Sequence, residues 1–295
     1  MNIKQLKYWI LAARPKTLSA SVTPVVVACV LSYQDNGLLK WGPALICFFF
    51  ALIAQVVSNL LNDYFDYIKG SDRSDRLGPE RAVAQGWISP HSMLKASVIL
   101  MGFACLLGCG IIYYTSWKMI FVGLSVCLGA FLYSSGPYPL AYKGWGDVCV
   151  VIFYGIIPVG FTCYAQTLNW GISSTICGLI MGIVSTNILV ANNFRDKDQD
   201  RQSGKHTSIV LFGEKFGLFF YLFNGLIVTV ISVLFLYERN LFCSFLPLIY
   251  LIVHYITWNK MRTIGKGKEL NIILEHSAKN VLLLGALLIA GIILS

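Results

Sequence analysis

Apolar stretches recur along the whole chain, near residues 17–34, 43–66, 92–115, 118–136, 146–167, 172–193, 216–237, 241–259 and 278–294. Each has the roughly 17–25 residues that a helix needs to cross a hydrocarbon core about 30 Å thick. Lipid offers a backbone no hydrogen-bond partners, and these segments are too long and too evenly apolar for barrel strands, so helices are the economical choice. Nine spans leave only short loops in a chain of 295 residues. Hydrophobic residues make up 56% of it and charged residues 13%, against about 25% charged in a soluble domain. The chain therefore reads as an all-α integral membrane protein, one bundle of about nine transmembrane helices, with residues 1–295 forming a single domain.

The basic residues orient this bundle. With nine spans, the N-terminus and the loops after spans 2, 4, 6 and 8 share one side, and all but Lys40, Lys118 and Arg239 of the 23 Lys and Arg residues fall there. The positive-inside rule puts that side, and the N-terminus with it, in the cytoplasm. The expectation is a multi-pass protein of a bacterial cytoplasmic (inner) membrane. The formal charge of +9 is then mainly a topological signal, with attraction to anionic lipid or an anionic substrate added to it. No folded domain is left to present a nucleic-acid surface. Arg14, Pro15 and Lys16 interrupt the first apolar stretch, so the N-terminus reads as retained in the membrane and not as a cleaved signal. All nine cysteines lie in apolar spans without a CxxC pair and read as small core residues.

Nine of the 14 acidic residues sit in two segments, Asp63, Asp66, Asp72, Asp75 and Glu80 after span 2 and Asp196, Asp198, Asp200 and Glu214 after span 6. Both segments are on the cytoplasmic side. Asn59, Asn62, Asp63 and Asp66 follow i, i+3, i+4, i+7, so a helix continuing out of span 2 carries them on one face. Asn192, Asp196 and Asp200 follow i, i+4, i+8 at the end of span 6. Asp75, Asp198 and Glu214 read as solvated loop charges balanced by neighbouring Lys and Arg. The two stripes run back into apolar helices, where a carboxylate costs about 2.5–3.5 kcal/mol on insertion scales, and this calls for cations or a wet cavity. Oxygen-only donors suit a hard ion such as Mg²⁺, usually shared with substrate phosphates. The scattered histidines disfavour zinc. Arg81, Lys143 and Lys205 lie on the same side as the acids, where they either meet a diphosphate or merely obey the positive-inside rule. Intramembrane acids also mark ion pathways, so a secondary transporter is the competing class. Against it, the acids cluster at one mouth instead of the midplane.

At these residues the sequence resembles the UbiA-type superfamily of intramembrane aromatic prenyltransferases, from Arg14-Pro15 to the last span. The family's NDxxDxxxD motif corresponds to Asn62, Asp63 and Asp66, with Gly70 where the third acid stands and Asp72 as its substitute. Its DxxxD motif corresponds to Asp196 and Asp200, followed by Gly204 and Lys205. The segments NDYFDYIKGSDRSDRLGPERAVAQGWISP, YSSGPYPLAYKGWGD and NNFRDKDQDRQSGKHT resemble the menaquinone branch of that superfamily. The resemblance implies helices around a cavity with both acidic motifs at its cytoplasmic mouth. It also implies Mg²⁺-dependent transfer of a polyprenyl group from polyprenyl diphosphate to 1,4-dihydroxy-2-naphthoate, with loss of CO₂ and diphosphate. A 4-hydroxybenzoate acceptor is the alternative within the superfamily.

On this reading Asp63, Asp66, Asp72, Asp196 and Asp200 hold the metal and the diphosphate is met by Arg81, Lys143 and Lys205. Asn62 and Asn192 stand beside the acids, and Tyr133, with other aromatics near the motifs, faces the allylic cation or simply packs. Arg14 and Lys16 hold the acceptor carboxylate or serve as interfacial anchors.

Overall fold

The computed structural model describes residues 3–70, 76–238 and 240–295. Among these, the regular structure is entirely helical. In chain order the α-helices are α1 (Ile3–Ala13), α2 (Ser19–Asn36), α3 (Trp41–Ile68), α4 (Pro90–Cys109), α5 (Met119–Ser134) and α6 (Gly146–Val151). They continue as α7 (Ile157–Thr167), α8 (Ile172–Gln202), α9 (Ser208–Ser232), α10 (Leu241–Phe245), α11 (Pro247–Ile264) and α12 (Asn271–Ile293). A π-helical turn, Ile152–Ile156, joins α6 to α7.

Seven helical segments of the described residues are long and apolar enough to cross a membrane, and α1 with α2 makes an eighth if that pair, bent by 55°, is one span. The bend has a local cause: Arg14 takes a left-handed backbone (φ 51°) immediately before Pro15, whose ring disfavours a helical conformation at the preceding residue and supplies no N–H donor. The apolar helix α5 has 16 residues, short of the roughly 20 a full crossing needs. Each of the nine expected stretches falls on a helix, but full crossing length is met by seven segments, or eight with the bent pair. Several boundaries also differ, two of them beside the second acidic motif. Helix α8 continues through Gln202, so the second acidic motif rides on the span itself. Helix α9 starts at Ser208 with one non-helical residue, Gly213.

Helix α8 is the central post. Of its most apolar stretch 72% is buried, against 17% for Pro90–Tyr113 at the periphery. Val27, Ala28, Val159, Cys177, Ile180, Met181, Val184, Val228, Tyr250, Val281 and Leu284 form the main core around it, drawn from α2, α7, α8, α9, α11 and α12. Small residues let the π-turn lie directly on α8: a Cβ at Gly155 would run into the Gly178 carbonyl, and one at Gly182 into the backbone of Val151. This is the small-residue contact by which membrane helices approach closely. Buried amides and hydroxyls pair across helices, as in Asn224 Nδ2 to Asn187 Oδ1 at 3.0 Å and Tyr221 with Ser277 at 2.7 Å. Leu106, Val230 and Ile252 are exposed outward, as lipid-facing side chains are.

Candidate active site

A cavity of about 620 Å³ opens between α2, α3, α5, the α6–α7 segment and α8. Its interior wall is apolar, with Ile46, Phe50, Ala51, Ile111, Met119, Val122, Val126, Phe153 and Phe161. Its other end is polar, with Asn59, Asn62, Asp66, Arg76, Arg81, Asn192 and Lys205. A largely apolar chamber with charges at one end suits an amphiphile whose headgroup is anionic.

The polar end is assembled from two helix ends and the loops beside them. On α3, Asp66 accepts a hydrogen bond from Arg81 Nη2 at 3.0 Å and another from the Tyr142 hydroxyl at 3.0 Å. Asp63, one turn earlier and 2% exposed, accepts from the Ala82 backbone N–H at 3.1 Å through Oδ2. Asn62 Oδ1 accepts from Ser134 Oγ at 2.8 Å, tying α3 to α5. The stripe Asn59, Asn62, Asp66 faces the cavity as the spacing predicts, whereas Asp63 turns under the loop at residues 82–83.

On α8, Asn192 lines the cavity, while Asp196 and Asp200, one and two turns further on, are buried without lining it. Arg195 donates to both oxygens of Asp196, from Nε at 2.7 Å and Nη2 at 2.5 Å. Lys205 Nζ stands 3.6 Å from Asp200 Oδ1. Burial works against the charge on Lys205, but the carboxylates of Asp200, Asp66 and Asp196 outweigh it and hold the ammonium above the ordinary lysine range. Tyr142 gathers the basic residues as well, with Lys69 Nζ 4.2 Å and Lys205 Nζ 5.6 Å from its ring centroid.

Of the residues expected from sequence, the structure brings Asn62, Asp66, Arg81, Tyr133, Asn192 and Lys205 to the cavity wall, whereas Asp63, Asp196 and Asp200 are buried without lining it. Lys143 is not brought there: it is exposed, 5.6 Å from the Tyr138 ring. Asp72 lies outside the described residues. Asp198 is exposed, turned away from Asp196 and Asp200 as the helical period requires. Arg14 and Lys16 both line the cavity, and Lys16 pairs with Glu275 at 2.7 Å. Sequence reading missed Tyr142, Asn271, Gln55 and Tyr154. Gln55 had a signal, since it extends the α3 polar stripe one turn deeper; there it accepts from the Tyr154 hydroxyl and donates to Asn59 Oδ1 at 3.3 Å.

The donor set is compatible with a hard cation. Asp63 Oδ1 and Asp200 Oδ2 are buried without a hydrogen-bond partner, and buried carboxylate oxygens of this kind call for a cation or water. No group of three His, Cys, Asp or Glu side chains among the described residues is close enough to hold an ion together. Arg81, Arg195 and Lys205 pair with Asp66, Asp196 and Asp200.

Residues 21–269 match the model of the UbiA prenyltransferase family. The chain belongs to that family. It is 32% identical over 222 residues to the 1,4-dihydroxy-2-naphthoate octaprenyltransferase of Escherichia coli (strain K12), covering 72% of this chain and 71% of that protein. It is 35% identical over 218 residues to the Haemophilus influenzae protein of the same name, covering 71% and 70%. The human UbiA prenyltransferase domain-containing protein 1 is 28% identical over 294 residues, 97% of this chain and 83% of that one. A UbiA homolog from Archaeoglobus fulgidus, solved bound to GPP and Mg²⁺, shares the fold with a TM-score of 0.71 at 14% identity, covering 97% of this chain and 99% of that one. A chain from the digeranylgeranylglyceryl phosphate synthase work gives 0.67 at 19% identity, covering 99% and 100%. This family member is thus a membrane prenyltransferase, and other UbiA structures have been solved with metal ions bound.

Proposed function

We propose that this chain transfers a polyprenyl group from polyprenyl diphosphate to 1,4-dihydroxy-2-naphthoate, releasing diphosphate and CO₂, as one membrane domain spanning residues 1–295. The observation that carries this reading is the division of a single cavity into a largely apolar interior and a charged end. The names of the relatives more than 30% identical to this chain support the naphthoate acceptor.

Asp63, Asp66, Asp196 and Asp200 are the proposed Mg²⁺ holders, with Asp72 as a further candidate. Bound there, Mg²⁺ supplies charge stabilisation to a diphosphate leaving group. The chain's own residues do the rest. Lys205 and Arg81, at the polar end, meet the diphosphate oxygens and share the charge that grows as the allylic C–O bond breaks. Apolar side chains such as Ala51, Val122 and Phe153 take the prenyl chain and keep water from the allylic carbon until the ring attacks it. Tyr133 and Phe153 supply ring faces along that wall. Arg14 and Lys16, which line the same cavity, are the candidates for holding the acceptor carboxylate. The basic residues of the same side support a mouth opening to the cytoplasmic face of a bacterial inner membrane.

The test is turnover by purified protein in detergent with Mg²⁺, polyprenyl diphosphates of several lengths, and a panel of aromatic acids. Prenylated naphthol and stoichiometric diphosphate are expected. Efficient prenylation of 4-hydroxybenzoate with none of the naphthoate overturns the acceptor, and absence of diphosphate release with every pair overturns the reaction.

A further inference from the structure

Behind the wall of the main cavity lies a second space of about 10 Å³, bordered by Asp147, Asn193 and Ser208. That is room for about one water molecule. Asp147 sits in the first turn of α6, Asn193 on the inward face of α8, and Ser208 at the start of α9. Asn193 is 3% exposed and Ser208 8%. Asp147 Oδ1, Asn193 Oδ1 and Ser208 Oγ are all buried without a hydrogen-bond partner. Ser208 stands beside Asp147, yet outside hydrogen-bond geometry.

These three atoms are the complement of one water. A carboxylate oxygen and an amide oxygen accept, and a hydroxyl can donate, which matches a molecule that donates twice and accepts once. A buried water typically makes about three hydrogen bonds of this kind. The space also has a door: Tyr133 and Lys205 line both it and the main cavity. Lys205 is held by Asp200, which leaves the Tyr133 phenol as the group able to pass a proton from one side to the other. The titratable groups facing Asp147 are Tyr133 from α5, Lys205 from the turn after α8, and Cys149 on its own helix.

We propose that Asp147, Asn193 and Ser208 hold one water, and that Tyr133 and this water carry the hydroxyl proton of the aromatic acceptor to Asp147. This rests on the reading above that the acceptor is a hydroxylated ring. The acceptor O–H bond breaks as its proton joins the Tyr133 oxygen. Tyr133 gives its own proton to the water, and the water gives one to Asp147 Oδ1. The net change is aryl hydroxyl plus carboxylate to aryl oxide plus carboxylic acid, with tyrosine and water restored. The aryl oxide is the more electron-rich nucleophile for the allylic carbon. Asp147 acts through the water and Tyr133, so it is a proton-accepting partner of the site with no contact to substrate.

The experiment compares kcat against pH for wild type, Asp147→Asn, Tyr133→Phe and Ser208→Val, using the naphthoate and a polyprenyl diphosphate, with donor binding and thermal stability measured beside them. At neutral pH, Asp147→Asn and Tyr133→Phe are expected to lose about 100-fold or more in kcat with donor binding unchanged, and to recover about tenfold per pH unit as the acceptor ionises in solution. Ser208→Val, which fills the space, is expected to show a smaller loss with the same recovery. Losses equal at every pH, or wild-type rates in Tyr133→Phe and Ser208→Val, overturn the relay. If wild type turns over the naphthoate and the variants keep its pH profile, the relay alone fails. If wild type prenylates no hydroxylated ring, the functional reading fails first and the relay falls with it.

Discussion

Arg195 clamps the carboxylate of its own sequence neighbour, Asp196, with hydrogen bonds of 2.7 and 2.5 Å. Adjacent residues on a helix do not face one another, so the pair needs outside help. It comes from Asn192, which accepts from Nη2 at 2.8 Å, and from Asn271, which accepts from Nη1 at 2.7 Å. Asn271 in turn donates to the Leu77 carbonyl at 3.0 Å. One guanidinium thus joins α8, the start of α12 and the loop after α3.

Because Arg195 is 2% exposed, removing it leaves Asp196 buried without its charge partner. Arg195→Met is expected to lower stability by about 3–5 kcal/mol, and Arg195→Met with Asp196→Asn to recover much of that. Thermal unfolding in detergent measures both. Arg195→Lys should fall between them, since an ammonium cannot reproduce the two-pronged grip. A single variant as stable as wild type would show that the clamp contributes nothing to the fold.

The close approach of the π-turn to α8 gives a second expectation. Gly182→Val should push Val151 and the turn that follows it away from α8 and lower stability by about 1–3 kcal/mol through overpacking. Gly171→Val, at a position where a Cβ meets nothing within 4 Å, is the control and should unfold near the wild-type temperature. Equal stability of the two variants would argue that the helices separate easily.

A third expectation concerns the donor chain. Gly123 lines the cavity on α5, and a Cβ there meets no atom within 4 Å, so a larger side chain projects into open space without disturbing the helix. Gly123→Phe should discriminate against long polyprenyl donors relative to a ten-carbon donor by about tenfold or more, the consequence of about 1–3 kcal/mol of crowding. Competition between donors of two lengths in one reaction reads this ratio directly. An unchanged ratio would place the chain along another wall.

How far the sequence alone reaches can be judged at particular residues. Apolar length placed the helices because the bilayer makes length and hydropathy decisive. The i, i+3, i+4, i+7 rule found the polar stripe of α3, yet it could not see that Asp63 turns under residues 82–83, since that depends on how a loop folds back. The bend at Pro15 was legible as an interruption, whereas its size, 55°, goes with the left-handed backbone of Arg14, which the residue type does not announce. Tyr142 and Asn271 escaped notice because neither lies on a periodic stripe; they reach the site through a loop and through the start of a helix 76 residues from Arg195. Lys143 was expected at the diphosphate from its side of the membrane, but topological side does not fix which way a loop side chain points.

The last expectation separates structural from metal-holding carboxylates. Replacing Asp by Asn keeps size and one acceptor oxygen but removes a charge, so a cation site suffers far more than a hydrogen-bonding site. Turnover should fall about 100-fold or more in Asp63→Asn, Asp66→Asn, Asp196→Asn and Asp200→Asn, in proportion to the several kcal/mol a metal supplies to a departing diphosphate. The structure divides the four by their partners. Asp63 and Asp200 each keep an oxygen with no protein donor, so their Asn variants should stay folded while needing higher Mg²⁺ for half-maximal rate. Asp66 and Asp196 are held by Arg81 and Arg195, so their variants should lose thermal stability along with activity. Asp198→Asn, on the exposed face of the same helix, should remain largely active at the wild-type Mg²⁺ optimum. Magnesium titrations of rate, run beside thermal unfolding of each variant, give both quantities. Asp198→Asn as inactive as Asp200→Asn, or all four variants at wild-type rate and Mg²⁺ response, would remove the carboxylates from the metal site.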